Sequence, residues 1–296
     1  LNSIAKNMEG LETILNNKAK RECFFHLALI KEGWIKWKSE SADNNLRLLL
    51  NQHKTFEKIY KQFGPLFANP EYIADSIKKE ISLIENTDFS LMTVCDGNFP
   101  ERLRVKGTPV LYVQGNADYL RQPSVAVIGS RSLEEQTDFN KIVCSAENAL
   151  KDAVKKEKVV VSGLAKGCDT LAHSLAMELS GKTLGVLGVG LNQYYPKENR
   201  ILQERMSSSQ CVVSQYPVGC DTFDKRGSAF VHRDLTQALL SDEILVIFAP
   251  DNSGTMHAVN RALKMGKKVY ALDVNFRRNF DWVKKEGVFR YETSSN

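Results

Sequence analysis

The stretch from Ser124 to Gly190 constrains this chain more than any other. It reads SVAVIGSRSLEEQ, then VVVSGLAKGCDTLAHS, then TLGVLGVG. Three apolar runs (Val125–Ile128, Val159–Val161 and Leu184–Leu187) each end in Gly or Ser, and the first two lead into helical patterns. Short Val- and Ile-rich runs bounded by glycine read as buried parallel strands. A strand, a tight turn and a helix, repeated, is the unit of a doubly wound, mostly parallel α/β sheet of extended Rossmann-like type. Ligands in such sheets lie at the carboxyl ends of the strands, where turns present N–H groups and helix N-termini carry partial positive charge. The binding chemistry is therefore expected at Gly129–Arg131, Ser162–Asp169 and the glycines after Leu187.

Composition excludes several classes. With 43% hydrophobic and 25% charged residues among 296, the chain has the make-up of an ordinary globular protein with a sizeable core. The net charge of +5 is a mild bias towards anionic partners, which counts only where the cations cluster. The six cysteines (23, 95, 144, 168, 211 and 220) show no C-x-x-C spacing. They read as buried thiols in a reducing compartment, with no metal site. No apolar run has the length of a membrane span and no signal peptide opens the sequence, so a cytoplasmic location is expected.

Four segments follow along the chain. Residues 1–87 form a small helical domain, with apolar periodicity around Leu11–Leu15, Phe24–Leu29, Leu46–Leu50, Phe56–Phe63 and Glu71–Ile84, and breaks at Gly64-Pro65 and Asn69-Pro70. Residues 88–123 lead into the sheet, with short strands at Leu91–Val94 and Pro109–Val113. Residues 124–274 are the sheet domain. Its expected helices are Glu134–Lys156, Thr170–Leu179, Lys197–Met206, Phe230–Leu240 and Met256–Met265, and its later strands Cys211–Ser214, Ile244–Phe248 and Lys268–Leu272. The tail, 275–296, interleaves aromatic and basic residues. That pattern suits a nucleic-acid strand, but a helix or hairpin packing its rings on the sheet domain is the favoured reading.

Each motif has a plain alternative. Gly129-Ser130-Arg131 suits an anion, because glycine lets the backbone approach, Ser130 donates and Arg131 takes a phosphate bidentately. A tight turn with an exposed arginine explains it equally well. Ser162-Gly163-Leu164-Ala165-Lys166-Gly167 is a longer phosphate-cradle pattern. Asp169 and His173, four apart on one helix face, read as a cap and a hydrogen-bonded structural pair rather than as acid and base. Ser180-Gly181-Lys182-Thr183 is an αβ turn, since a P-loop needs strand, loop, helix in that order. Gly188-Val189-Gly190 lacks a dinucleotide fingerprint, so no cofactor is expected. Ser253-Gly254-Thr255 is a second candidate anion turn, although Thr255 as a helix cap would account for it. Arg233 and Lys197-Glu198-Asn199 reach towards the same rim.

These residues, taken in order, resemble the DprA/Smf family of DNA-processing proteins. The resemblance runs from DGNFPERLRVKGTPVLYVQGN (Asp96–Asn116) through VAVIGSR, SGLAKGCDTLAH, GVLGVGLNQYYPKEN and VVSQYP to SGTMHAVNRALKMGKKVYAL. It implies a Rossmann-like fold after a helical domain of sterile-alpha-motif type. It further implies single-stranded DNA binding without catalysis, loading of a RecA-type recombinase, and a homodimer. The implied DNA-contacting positions are Gly129, Ser130, Arg131, Ser162, Gly163, Lys166, Gly167, Asn199 and Arg233, with Ser253, Gly254 and Thr255 added from the turn argument. The sequence departs from the family at Phe230-Val231-His232-Arg233-Asp234-Leu235, which keeps one arginine of F-P-x-R-N-R. It departs again at Phe248-Ala249-Pro250, where an acidic residue is usual, and the family's winged-helix tail has no counterpart in the tail here. Rival readings are a nucleotide-ligand sensor, in a setting such as phage defence, and a nucleoside-monophosphate phosphoribohydrolase relative. The hydrolase's PGGxGT-x-x-E turn is not matched by Asp251–Met256. A scaffold with a vestigial pocket is a third.

Overall fold

The structure, a computed structural model, describes residues 10–37, 39–63, 77–220 and 228–292. Its helices are α1 (Lys18–Lys31), α2 (Glu40–His53), α3 (Phe56–Phe63) and α4 (Ile81–Asn86), and two strands follow, β1 (Ser90–Thr93) and β2 (Val110–Gly115). Then come β3 (Ser124–Ile128), α5 (Phe139–Lys155), β4 (Val159–Ser162), α6 (Cys168–Glu178) and β5 (Thr183–Leu187). The remainder is α7 (Arg200–Ser209), β6 (Cys211–Ser214), α8 (Ser228–Leu239), β7 (Glu243–Val246), α9 (Thr255–Lys264), β8 (Val269–Ala271), α10 (Asp273–Arg277) and β9 (Val288–Arg290). The nine strands lie in the order β1-β2-β6-β5-β4-β3-β7-β8-β9. The β1–β2 pair is antiparallel, and β5-β4-β3-β7-β8-β9 run parallel. This is the expected α/β, Rossmann-like sheet.

The chain forms two units that interleave along the sequence. The first takes residues 1–114, 188–193 and 213–232, the second 115–187, 194–212 and 233–296. In the first, α1 buries Phe24, Phe25, Leu27 and Leu29, and Asn17 caps it by accepting from Lys20 N. His26 stacks on Phe56 at 4.1 Å and shares a hydrogen bond with the Tyr112 hydroxyl. The breaks at Gly64-Pro65 and Asn69-Pro70, and residues 71–76 of the expected helix Glu71–Ile84, lie outside the described residues. Ile81–Asn86 is the helix observed there.

In the second unit the alternation of β3 sends its side chains to two cores. Val125 and Val127 face α5 and α6, whereas Ala126 and Ile128 face α9 and the tail. Helix α5 turns Ile142, Ala146, Ala149, Leu150 and Ala153 onto the first core at helical spacing, and the left-handed Glu157 (φ +53°) lies just past its end. Helix α5 starts five residues later than Glu134, because 131–138 forms turns that bury Leu133. Lys197–Asn199 is a 3-10 turn ahead of α7. The tail does pack rings inward, with Trp282 and Val283 buried and the Tyr291 hydroxyl donating to Asp152. It also supplies β9, a parallel edge strand too short to show any alternation. Of the cysteines, Cys144 is exposed and Cys95 half-buried, unlike the four buried ones. Among the described residues no helix is long and apolar enough to cross a membrane, and no cluster of metal-ligating side chains occurs.

Candidate nucleic-acid interface

The sheet reverses direction between β3 and β7. From β3 the chain winds one way through β4 and β5, then returns to lay β7 on the other side of β3. The carboxyl ends of β3 and β7 therefore flank the crevice where open α/β sheets take ligands. Three turns meet this edge of the second unit: Gly129-Ser130-Arg131 after β3, Ser162–Gly167 after β4, and the stretch up to Ser253-Gly254-Thr255 after β7.

The turn after β4 is fixed from beneath. Leu164 takes a left-handed conformation (φ +56°) that a branched side chain rarely adopts. Its side chain is held over Gly185 of β5, where an added Cβ would come within 2.8 Å of Leu164 Cδ1. Gly167 is also left-handed (φ +72°), and a Cβ there would come within 2.4 Å of Ser130 O. Cys168 N donates to Ser130 O at 3.1 Å, so the two glycine turns are bound to each other. Gly129 is required for the same closeness, since its Cβ would lie 2.3 Å from Cys168 Sγ.

Several residues expected to contact DNA belong to this support. Ser162 is fully buried and its hydroxyl donates to Val127 O at 2.7 Å. The N–H groups of Gly163 and Ala165 donate to Asp169 Oδ2 rather than facing outward. Arg233 is 4% exposed and gives Nη1 to the carbonyls of Gly163 and Val186, both at 2.6 Å. A guanidinium whose donors close off strand-end carbonyls is a strut under the turn, not a phosphate ligand on it. Asn199 donates from Nδ2 to Leu164 O at 2.9 Å and to Thr170 Oγ1 at 2.8 Å, clamping the 3-10 turn to the β4–α6 turn.

The expected Asp169–His173 pair is two separate arrangements. Asp169 ties the turn N–H groups, and burial pushes its carboxyl above the usual range against the opposing pull of Arg233. His173 instead bonds Thr183 Oγ1 at 2.7 Å, and burial lowers it to about 3, leaving a neutral imidazole. The Thr183 hydroxyl donates to Val160 O, so His173 Nδ1 is the donor in their bond. Nor does Thr255 cap α9: Gly254 is the N-cap and no side chain bonds there. Gly254 has nothing within 4 Å of its Cβ position, so the turn after β7 shows no steric need for glycine.

What remains on the outside is a short list. Arg131 is exposed. Asp234, pushed up by burial, is pulled down by Arg233, Arg261 and Arg131 together, which places these cations around one carboxylate. Lys166 is exposed and pairs with Glu198 Oε1 at 2.6 Å. Arg261, on α9, escaped the sequence argument because a basic residue in a last helical turn is ordinary. Glu198 was noted only as a neighbour of Asn199.

Comparison with known proteins identifies the family and the fold. A family model described as DNA recombination-mediator protein A matches residues 90–283. The DNA processing protein DprA of Streptococcus pneumoniae is 35% identical over 188 residues, covering 62% of this chain and 63% of that protein. Protein Smf of Synechocystis sp. is 32% identical over 227 residues, covering 74% of this chain and 52% of that protein. The chain thus spans between half and two thirds of the length of these curated relatives. The X-ray structure of Streptococcus pneumoniae DprA aligns with a TM-score of 0.58 at 30% identity, over 73% of this chain and 74% of that one. A Helicobacter pylori DprA structure, described for its single-stranded DNA binding mode, shares the fold with a TM-score of 0.54 at 22% identity. The family's matched span takes in every strand of the sheet but the last and all three turns of the crevice, and the chain belongs to the DNA recombination-mediator protein A family.

Proposed function

We propose that this protein binds single-stranded DNA at the β3/β7 crevice and carries out no covalent chemistry there. The observation that carries the reading is the division at the crevice. Its glycine turns are locked into close approach from beneath, and an exposed Arg131 stands at their outer edge. That arrangement offers a rigid backbone surface and a guanidinium to a phosphate chain. The buried acid and imidazole, Asp169 and His173, are both tied into the support, so this pair does not serve the crevice as acid and base. The family membership and the single-strand binding described for the Helicobacter pylori relative support the same reading. The working form in this proposal is a cytoplasmic homodimer that shields the strand and passes it to a RecA-type recombinase.

The test is fluorescence anisotropy of a labelled oligo-dT across a salt series, for wild type and Arg131→Ala, with duplex DNA and mononucleotides as competitors. Affinity should fall with salt as phosphates release counterions, and the variant should lose about one unit of the logarithmic salt slope. A mononucleotide bound in place of the strand would move the function to ligand sensing.

A further inference from the structure

We propose that a cavity between α5 and the β8–β9 edge, at the far end of the strands from the crevice, binds a purine nucleotide. It is a second ligand site in the same unit and does not depend on the strand reading.

The sheet lays out the floor. Register places Val127, Leu245, Tyr270 and Phe289 side by side across β3, β7, β8 and β9, so their side chains share one face. Helix α5 meets that face with Ala149 and Ala153, one turn apart, and such short side chains leave room above the sheet. The room is a cavity of about 350 Å³, within the range that takes a small ligand. Val125 near the amino end of β3 and Glu243 at the start of β7 line it, whereas Arg131 follows the carboxyl end of β3.

One wall is aromatic. The Tyr270 ring lies 5.8 Å from the Phe289 ring and 6.3 Å from the Tyr291 ring, which it meets edge-on. Tyr291 is fixed by its hydroxyl, which donates to Asp152 Oδ2 at 3.1 Å. Phe289 is 45% exposed. Three rings over an apolar floor favour a flat aromatic body over a sugar or an aliphatic chain.

Polar groups choose among flat ligands. Lys158 gives Nζ to Glu243 Oε1 at 2.7 Å, and Arg290 gives Nη1 to Asp273 Oδ1 at 2.8 Å. Two lining side chains, Lys156 from α5 and Glu292 from beyond β9, are exposed and have no partner among the described residues. Net charge does not decide the matter, since Lys155 and Glu157 flank Lys156 with one charge of each sign. Position does. A ligand that satisfies both groups carries an anion at one end of a flat body and a hydrogen-bond donor at the other. In a purine nucleotide the phosphate meets Lys156 and the amino group of the base donates to Glu292. Thymine has no amino group and a single ring. An aromatic amino acid has both charges, but on one carbon, and cannot serve two walls.

The test is calorimetry with AMP, adenosine, TMP and L-tryptophan, alongside anisotropy of labelled oligo-dA and oligo-dT. AMP should bind about threefold more tightly than adenosine, the worth of an exposed charge contact, and Lys156→Ala should erase that difference. Phe289→Ala should weaken AMP about tenfold through the lost stacking. Ala153→Leu should abolish AMP binding by filling the cavity, with unfolding midpoints checking that both variants fold. TMP should bind more weakly than AMP, and AMP should not displace oligo-dT from the crevice. No AMP binding, with oligo-dA but not oligo-dT weakened by Phe289→Ala, keeps the site and makes its occupant a nucleotide of a strand. AMP binding that Arg131→Ala abolishes and Phe289→Ala spares puts the nucleotide in the crevice and overturns the proposal. L-tryptophan bound in preference to AMP overturns it too, as does binding of neither AMP nor oligo-dA that responds to Phe289→Ala.

Discussion

Two layers of the same motif do opposite work. The inner layer, Ser162, Gly163, Asp169, His173 and Arg233, is buried and bonded almost wholly to backbone and to neighbouring side chains. The outer rim, Arg131, Lys166, Tyr195 and Glu198, is exposed. In sequence the two are mixed residue by residue, with Gly163 and Lys166 only three apart. The comparison teaches that an anion-binding signature in an α/β turn is largely a recipe for the shape of the turn. The groups that meet a ligand are a minority of it.

The sharpest way to break this division is Arg233→Met. If the guanidinium is a strut, its loss leaves two strand-end carbonyls and the buried Asp169 uncompensated, at a cost of about 3–5 kcal/mol in urea unfolding. A variant of wild-type stability with weaker DNA binding would move Arg233 to the outer layer. Gly163→Ala should follow at about 1–3 kcal/mol, since its Cβ would lie 1.9 Å from Arg233 Nη1. His173 gives a pH signature. It stays neutral in the fold, with a pKa of about 3, whereas the unfolded chain takes up its proton near 6.5. The unfolded state then binds more protons below pH 6.5, and stability falls as the pH drops from 6.5 towards 3. Replacing it by Gln should flatten the fall by up to about 1.4 kcal/mol per pH unit. Unfolding midpoints at pH 7.5, 6.5, 5.5 and 4.5 check this, and an unchanged slope would place the imidazole in water. Smallest is Gly254→Ala, at φ −58° with open space around it, which should shift stability by under about 0.5 kcal/mol.

The strands of the sheet were legible because Val- and Ile-rich runs ending in glycine have few other uses. Cys211–Ser214 matches the expected bounds residue for residue, and the run Leu184–Leu187 lies within β5. The start of α5 was not, because nothing in Ser132–Asp138 shows that Leu133 turns inward ahead of the helix. Strand β9 was hidden by its three residues and by a tail whose rings suggested either a partner or a packing surface. At the site, chemistry was legible and direction was not. Arginine and serine bond a phosphate or a carbonyl with the same atoms, and burial alone assigned Arg233 and Ser162 to carbonyls. Asp169 and His173 have the i, i+4 spacing of a pair, yet Thr183, ten residues from His173, takes the imidazole.

The interleaving of the two units bears on how the chain is made. The first unit needs Val213–His232, so it cannot be completed until more than three quarters of the 296 residues have been synthesised. By then much of the second unit has emerged, but that unit still waits for Arg233–Asn296, the segment that brings β7 to the side of β3. Neither unit can finish while the ribosome is still working on the middle of the message, and no single cut yields one intact. During translation the protein carries two half-built cores at once, and it depends on late segments to close both before their apolar strands meet those of another nascent chain.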